Sequence, residues 1–343
     1  MPSAGASPRP PAFQCRSTDL SLPPIPPITP LIPITPIAPI IHPAPLRPGD
    51  KVAIVSPASV IDPARVEGAC RTLEAWGFVP EVMPHALGER GSFSGTRAER
   101  LADMRAPLSG DAAAILCSRG GYGCVHLLDE LDADPALWSR PRWLVGFSDV
   151  SALHALWGRH GIVSVHGSMA KQLAAGPDDP VNRSLLGILT GAPPDVAVEW
   201  GTHPYNRPGA AQGVVRGGNL AVISALINTA YDPFKAGSIL VVEDIAEPIY
   251  KVERVFWQLR ISGVLSRLAG LVIGQFTDWR PSRDWNDMYA MLRQFAADVS
   301  GPVAFDAPVG HVDTNRHILL GAPGRLTVSP AGSRLEYSQD FIS

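Results

Sequence analysis

The chain is short of charge, of cysteine and of uninterrupted apolar runs. Among 343 residues there are 29 basic and 32 acidic side chains, a formal net charge of -3, and no basic block stands out. A nucleic-acid surface needs a concentrated cationic footprint, so that class is excluded. The cysteines, Cys15, Cys70, Cys117 and Cys124, form no CxxC pair and have no histidines at zinc spacing. Neither a disulfide framework nor a structural metal is expected, and free thiols fit a reducing compartment. No apolar run reaches the length of a bilayer span. The apolar stretch 20–48 is interrupted by proline every two or three residues, which a signal-peptide helix or a central strand does not tolerate. Residues 1–46 are expected to form a disordered or semi-stiff extension outside the fold.

What is present is an alternation of strand and helix signals. Lys51–Ser56, Phe78–Met83, Ala112–Cys117, Trp143–Val145 and Val163–Gly167 are short apolar or β-branched runs. Helical periodicity separates them: Val66, Ala69, Leu73 and Trp76 share one face behind an Asp62-Pro63 start, and Gly77 ends that helix. Such alternation implies a parallel sheet covered on both faces. Residues 171–212 are turn-rich and read as a linker with one helical patch at 181–189. A second α/β unit begins at Gly213, with strands at 213–219, 238–242, 270–276 and 303–307 and helices at 220–227, from Pro248 and at 284–299; short strands close it at 318–328. The expected organisation is an extension (1–46), a doubly wound N-terminal domain (47–170), a linker (171–212) and a smaller C-terminal domain with mixed strands (213–343), with the site between the two domains.

Arg142–Trp157 organises the first unit. Trp143, Leu144 and Val145 make a strand, Gly146 breaks it, and Val150, Leu153, Leu156 and Trp157 recur at helical spacing after Ser148-Asp149. A strand–turn–helix with a serine at the turn has the layout of a nucleophile elbow, which exposes the hydroxyl and aims backbone N–H groups in front of it. Gly146 suits that geometry and Val150 does not; a helix N-cap at Ser148 or Asp149 competes with it.

Three further strand ends carry polar groups that the fold does not require, and such ends collect at one edge of an open parallel sheet. Arg119-Gly-Gly-Tyr-Gly123 lacks a Walker lysine and dinucleotide spacing, leaving a plain turn or an oxyanion donor. Glu243 ends the buried run Ser-Ile-Leu-Val-Val and could orient a histidine, with Glu247 and Glu253 as competing carboxylates. His311 sits in a glycine-flanked loop of the second unit; His166, at a strand end soon after Ser148, is its competitor. Serine, glutamate and histidine together meet the needs of acyl transfer, because a serine hydroxyl is a weak nucleophile until an oriented base takes its proton.

The motifs KVAIVSPAS (51–59), SRGGYG (118–123), VGFSDVSALH (145–154), VHG (165–167), VRGGNL (215–220), ILVVEDIAEPIYKVER (239–254), GLVIGQFTD (270–278) and PVGHVDTNR (308–316) together resemble the LD-carboxypeptidase family of serine peptidases, which includes the microcin C immunity hydrolases as a branch. The resemblance spans about residues 47–330. It implies Ser148 as nucleophile, His311 as base, Glu243 as its orienting carboxylate, and the backbone amides of Gly121 and Asp149 as an oxyanion hole. It also implies a cytosolic homodimer without metal or organic cofactor. The implied reaction is hydrolysis of the bond joining the L-centre of a diamino acid to terminal D-alanine in murein tetrapeptide. Arg119 is a candidate for the substrate carboxylate, with a structural role as its alternative. The proline-rich extension, Cys124 and Ser168 depart from the family pattern. An immunity-type hydrolase of peptidyl or aminoacyl nucleotides is the alternative enzyme, which an adenine-stacking aromatic such as Trp200 or Tyr205 would favour. A binding protein on the same scaffold, with Ser148 only a cap, is the alternative of another class.

Overall fold

A computed structural model describes residues 39–191 and 197–337. The expected extension as far as residue 38 lies outside the described residues. Residues 39–46 do not behave as an extension: Ile41 exchanges backbone hydrogen bonds with Gly161 and Val163, Leu46 N donates to Leu189 O at 2.7 Å, and Trp143 Nε1 donates to Ala44 O at 3.0 Å. Proline forbids a packed helix in this stretch, but a single extended ribbon can still bond through its remaining amides.

The first sheet contains β1 (Lys51–Val55), β2 (Val79–Val82), β3 (Ala114–Cys117), β4 (Trp143–Gly146) and β5 (Ser164–His166), parallel in the order β2-β1-β3-β4-β5. β3, β4 and β5 are buried along their whole length, which is why their sequences are continuous apolar runs rather than alternating ones. This strand order reverses direction between β1 and β3, and in such sheets ligands bind outside the carboxyl ends of the strands. Those ends carry Ser118, Ser148 and Gly167.

The second sheet contains β6 (Ala197–Trp200), β7 (Gly209–Asn219), β8 (Ile239–Ile245), β9 (Gly270–Thr277) and β10 (Val303–Ala304), together with two strands of the last segment. That segment supplies β11 (Ile318–Leu320), β12 (Pro323–Ser329) and β13 (Gly332–Tyr337). The order is β10-β9-β8-β7-β12-β13-β6, parallel from β7 to β10 and antiparallel from β7 to β6. Mixed strands were expected here; the long β7, shared by both halves of the sheet, was not legible because its first residues are Gly-Ala-Ala-Gln-Gly.

β11 does not join this sheet. It returns to the first one, antiparallel to β5 with Ile318 opposite His166. A three-residue strand carries too little periodicity to announce its partner. The stretch 171–212 holds a helix, Pro180–Thr190, capped by Asp179 and burying Leu185, Ile188 and Leu189. It also holds β6 and the start of β7.

One apolar core joins the sheets: Val52, Leu116, Val145 and Val165 of the first share it with Val215, Val241 and Val272 of the second, and with Leu185 and Leu189 between them. Close approach of the two needs glycine at one turn of β7. Gly217 and Gly218 have φ of 135° and 126°. A Cβ on Gly218 would stand 2.4 Å from Ser151 Oγ across the interface, whereas one on Gly217 would strike Val241 O of the neighbouring β8 at 1.8 Å. The motif 217–218 is therefore structural. Asn219 N donates to Ser151 Oγ at 2.9 Å, a direct tie between the second sheet and the helix Ser151–Arg159 that follows β4. Among the described residues, no helix is long and apolar enough to cross a membrane.

Trp157 anchors that helix: it is fully buried, and its Nε1 donates to Arg142 O at 3.0 Å. Trp157→Ala should lower unfolding free energy by about 3–5 kcal/mol through the cavity it leaves. Trp157→Phe, which keeps most of the volume, should cost roughly half as much or less; urea denaturation followed by circular dichroism measures both.

Candidate active site

The turn after β4 holds the first candidate residue. Ser148 has φ of 65°, the left-handed region that a non-glycine residue occupies only where the surroundings enforce it. Two neighbours enforce it. A Cβ on Gly146 would meet Val150 Cγ1 and Cγ2 at 3.0 Å and Cys117 Cβ at 3.1 Å. The valine that seemed too large for an elbow is thus seated in the space Gly146 leaves. A Cβ on Gly120 would lie 2.8 Å from Ser148 Oγ and 3.2 Å from Asp149 N, so the bare glycine keeps the space before hydroxyl and amide open. Gly121, with φ of 122°, is in a conformation that side chains disfavour.

The cap interpretation does not hold. The helix Ser151–Arg159 and the short 3-10 turn before it have no side-chain cap. Asp149 instead turns away and accepts from Cys124 N at 2.9 Å with Oδ2. Cys124 is buried, and burial pushes its thiol well up, away from the range of a reactive thiolate.

Glu243 lies near the end of β8, fully buried. His311 lies in the loop after β10. Gly310 N donates to the buried Asn315 Oδ1 at 2.8 Å, and Arg316 N to Pro308 O at 2.7 Å, so the loop is closed on itself. Gly310 has φ of 131°, and a Cβ there would strike Glu243 Cβ at 2.9 Å. Bare backbone at 310 is what lets the ring come down beside the carboxylate.

Three of the candidates converge. His311 Nδ1 is 2.8 Å from Glu243 Oε2, and His311 Nε2 is 3.1 Å from Ser148 Oγ. Both are hydrogen-bond distances, and they form one line from a carboxylate through an imidazole to a hydroxyl. With Glu243 ionised, Nδ1–H donates to it, which leaves Nε2 free to accept from the serine hydroxyl. Burial alone would raise the Glu243 pKa; the hydrogen bond from His311 and the His166 ring facing its other oxygen outweigh it and hold the group down to about 2, against an ordinary 4.5. The adjacent Asp244 goes the other way, pushed up to about 7 by burial and by the Glu243 charge, while Asn219 Nδ2, Ala221 N and Ile245 N donate to it. The Phe147 ring stands 5.0 Å from that of His311 and excludes water from one side.

The competing residues are engaged elsewhere. Glu253 accepts from Trp285 and Gln294, and Glu247 pairs with Lys251. His85 and His160 are taken by Asp103 and Asp132. His166 is not the ring that meets Ser148: it is fully buried, with Nε2 3.7 Å from the second Glu243 oxygen, Oε1. Trp200 donates to Phe305 O, and Tyr205 packs on His203 and Phe305.

Arg119, Gly121, Ser148, Lys171, Gln172 and His311 line a pocket of about 270 Å³. Trp200 and Tyr205 are not among its lining residues. Arg119 is partly committed, since Nη1 donates to Val60 O at 3.1 Å. Lys171 is exposed at the mouth, on the short helix Ala170–Leu173. Sequence inspection missed it, because a single lysine in a turn-rich stretch carries no signal. Among the described residues, no cluster of three or more His, Cys, Asp or Glu side chains is arranged to hold a metal ion.

Comparison with known proteins gives the family. Residues 52–167 match the LD-carboxypeptidase N-terminal domain, and residues 212–326 match the LD-carboxypeptidase C-terminal domain. A relative from Streptomyces coelicolor is 34% identical over 297 residues, covering 84% of this chain and 93% of the relative. The murein tetrapeptide carboxypeptidase of Pseudomonas aeruginosa is 32% identical over 279 residues, 78% of this chain and 89% of that protein. The crystal structure of muramoyltetrapeptide carboxypeptidase from Oxalobacter formigenes superposes with a TM-score of 0.75 at 27% identity, covering 84% of this chain and 99% of that one. Two matched domains in order, carried on the same mixed α/β architecture, mean that the chain belongs to the LD-carboxypeptidase family.

Proposed function

We propose that this protein is a serine-type carboxypeptidase that removes terminal D-alanine from the L-centre of the diamino acid in murein tetrapeptide. The observation that carries the proposal is the line Glu243–His311–Ser148, with contacts of 2.8 and 3.1 Å across two sheets. The relatives named for murein peptides supply the substrate class.

In this mechanism His311 Nε2 takes the Ser148 proton as Oγ attacks the carbonyl carbon of the diamino acid. Glu243 holds the ring and stabilises the imidazolium. The amides of Gly121 and Asp149 donate to the oxyanion, an effect worth about 3 kcal/mol per donor in related chemistry. His311 then gives its proton to the departing D-alanine nitrogen, leaving an acyl-enzyme on Ser148 that water hydrolyses by the same base. A carboxypeptidase must recognise a free carboxylate, and two cations at the pocket, Arg119 and Lys171, support that task. Lys171 is the stronger candidate because one Arg119 nitrogen is already bonded to Val60 O. The buried free thiols Cys117 and Cys124 suit a reducing cytosol, where tetrapeptide recovered from the wall is trimmed to tripeptide.

Purified protein incubated with murein tetrapeptide should release D-alanine and tripeptide, read by mass spectrometry; intact tetrapeptide beside a working control enzyme sinks the proposal. Ser148→Ala should lower kcat by at least about 10⁴-fold without changing the fold. Glu243→Gln should cost about 10³–10⁴-fold. A carboxyl held down to about 2 is ionised above that pH and loses its charge only as pH falls toward it. The Glu243→Gln deficit should therefore be flat from about pH 7 to about pH 9 and narrow on the acid side, where loss of the carboxylate charge lets the imidazole shed its proton more easily. Lys171→Ala should raise KM for the peptide acid about 10-fold or more, with kcat within about twofold, and the difference should vanish for the D-alanine amide.

A further inference from the structure

Glu243 has two oxygens, and the acyl-transfer line uses one. Oε2 meets His311; Oε1 is buried and has no hydrogen-bond partner. A buried carboxylate oxygen left unpaired is costly, and native structures seldom tolerate it. Facing it is His166 of β5, itself fully buried, with neither Nδ1 nor Nε2 partnered. Nε2 lies 3.7 Å from Oε1, just beyond hydrogen-bond range. Two orphaned, complementary groups at that separation need a shift of less than about 1 Å to pair.

We infer that His166 is a positioning residue, whose Nε2–H donates to Glu243 Oε1, so that the carboxylate is gripped by one imidazole from each sheet. The neighbouring side chains are engaged elsewhere and leave the His166 ring facing Glu243. His154, 6.1 Å away between ring centroids, is bonded at both nitrogens to Ser164 and Gly146, and burial holds it down to about 3. His317, on the β11 side, is bonded to Ser168 and is likewise held down to about 3. Asp244 is engaged by Asn219, Ala221 and Ile245. The Phe147 ring stands 5.8 Å from His166 and 5.0 Å from His311, a wedge that sets the spacing of the two imidazoles about the carboxylate. Backbone register adds the reason for precision: His166 sits opposite Gly146 on β4, two residues before Ser148. The same strand that carries the serine therefore sets where the second grip on Glu243 lies.

This role presupposes the Ser148 chemistry proposed above, and substitutions that move the donor by one atom test it. Gln presents an amide nitrogen where His166 Nε2 stands; Asn presents one where Nδ1 stands. His166→Asn should lower kcat about 10–100-fold with KM within about twofold, while His166→Gln stays within about threefold of wild type. The acid limb of kcat/KM should move to higher pH in His166→Asn, because a carboxylate with one donor fewer makes the Glu243–His311 pair bind its proton more tightly. Equal loss in the two variants, or wild-type kcat in His166→Asn, overturns the inference, and a variant that fails to fold leaves the other to decide. A crystal structure of the wild-type protein is the arm that needs no turnover: Nε2 to Oε1 at or under about 3.2 Å is expected, and a longer separation overturns the contact. Should wild type release no D-alanine, the substrate proposal fails while that distance still decides the role of His166.

Discussion

The contact between His311 and Ser148 depends on two sheets being held at a fixed separation. Each residue belongs to a different sheet, so the 3.1 Å between them is a property of the interface rather than of either half. What fixes it is the shared apolar core: strands of both sheets bury side chains against one another and against the helix Pro180–Thr190. Close-packed interiors transmit displacement with little compliance. A base on a separately mobile element would lose the alignment that proton transfer requires.

The electrostatics follow from the same interface. Glu243 is buried where a lone carboxylate would be strongly disfavoured, yet the imidazoles opposite its oxygens keep it ionised. Its chain neighbour Asp244 points to the other side of β8 and binds the start of the helix Leu220–Ser224. Alternation along a strand thus separates two adjacent carboxylates into one that faces a histidine and one that braces a turn. Their opposite pKa displacements are the signature of that division.

Glycine sets the limits of approach at each junction. Gly120 and Gly146 make room for the serine turn, Gly310 for the imidazole, and Gly218 for the seam between the sheets. In each case the would-be Cβ meets an atom of another candidate residue or of the elbow helix. The glycines therefore read as turn residues in sequence and as clearance in space.

The serine turn, the buried strand before Glu243 and the glycine-flanked His311 were legible because each is a local pattern in which apolar run, breaker and polar residue are adjacent in the chain. The ordered motifs likewise carried the family and its mixed α/β architecture. Local pattern could not separate an elbow from a helix cap at Ser148, since both need a small polar residue after a strand; φ of 65° and the absence of a cap bond separate them. It put His311 only slightly ahead of His166, because a glycine-flanked loop and a strand end are both open places for a base, and only the approach of the second sheet puts one ring on the hydroxyl and the other behind the carboxylate. Lys171 at the pocket, the docking of residues 39–46 and the return of Ile318–Leu320 to the first sheet were invisible for the same reason. By itself the sequence determined the elements and the residue types available for chemistry, because those depend on neighbours along the chain. The tertiary structure alone decided which of them meet, because burial and distance between remote segments are set by packing.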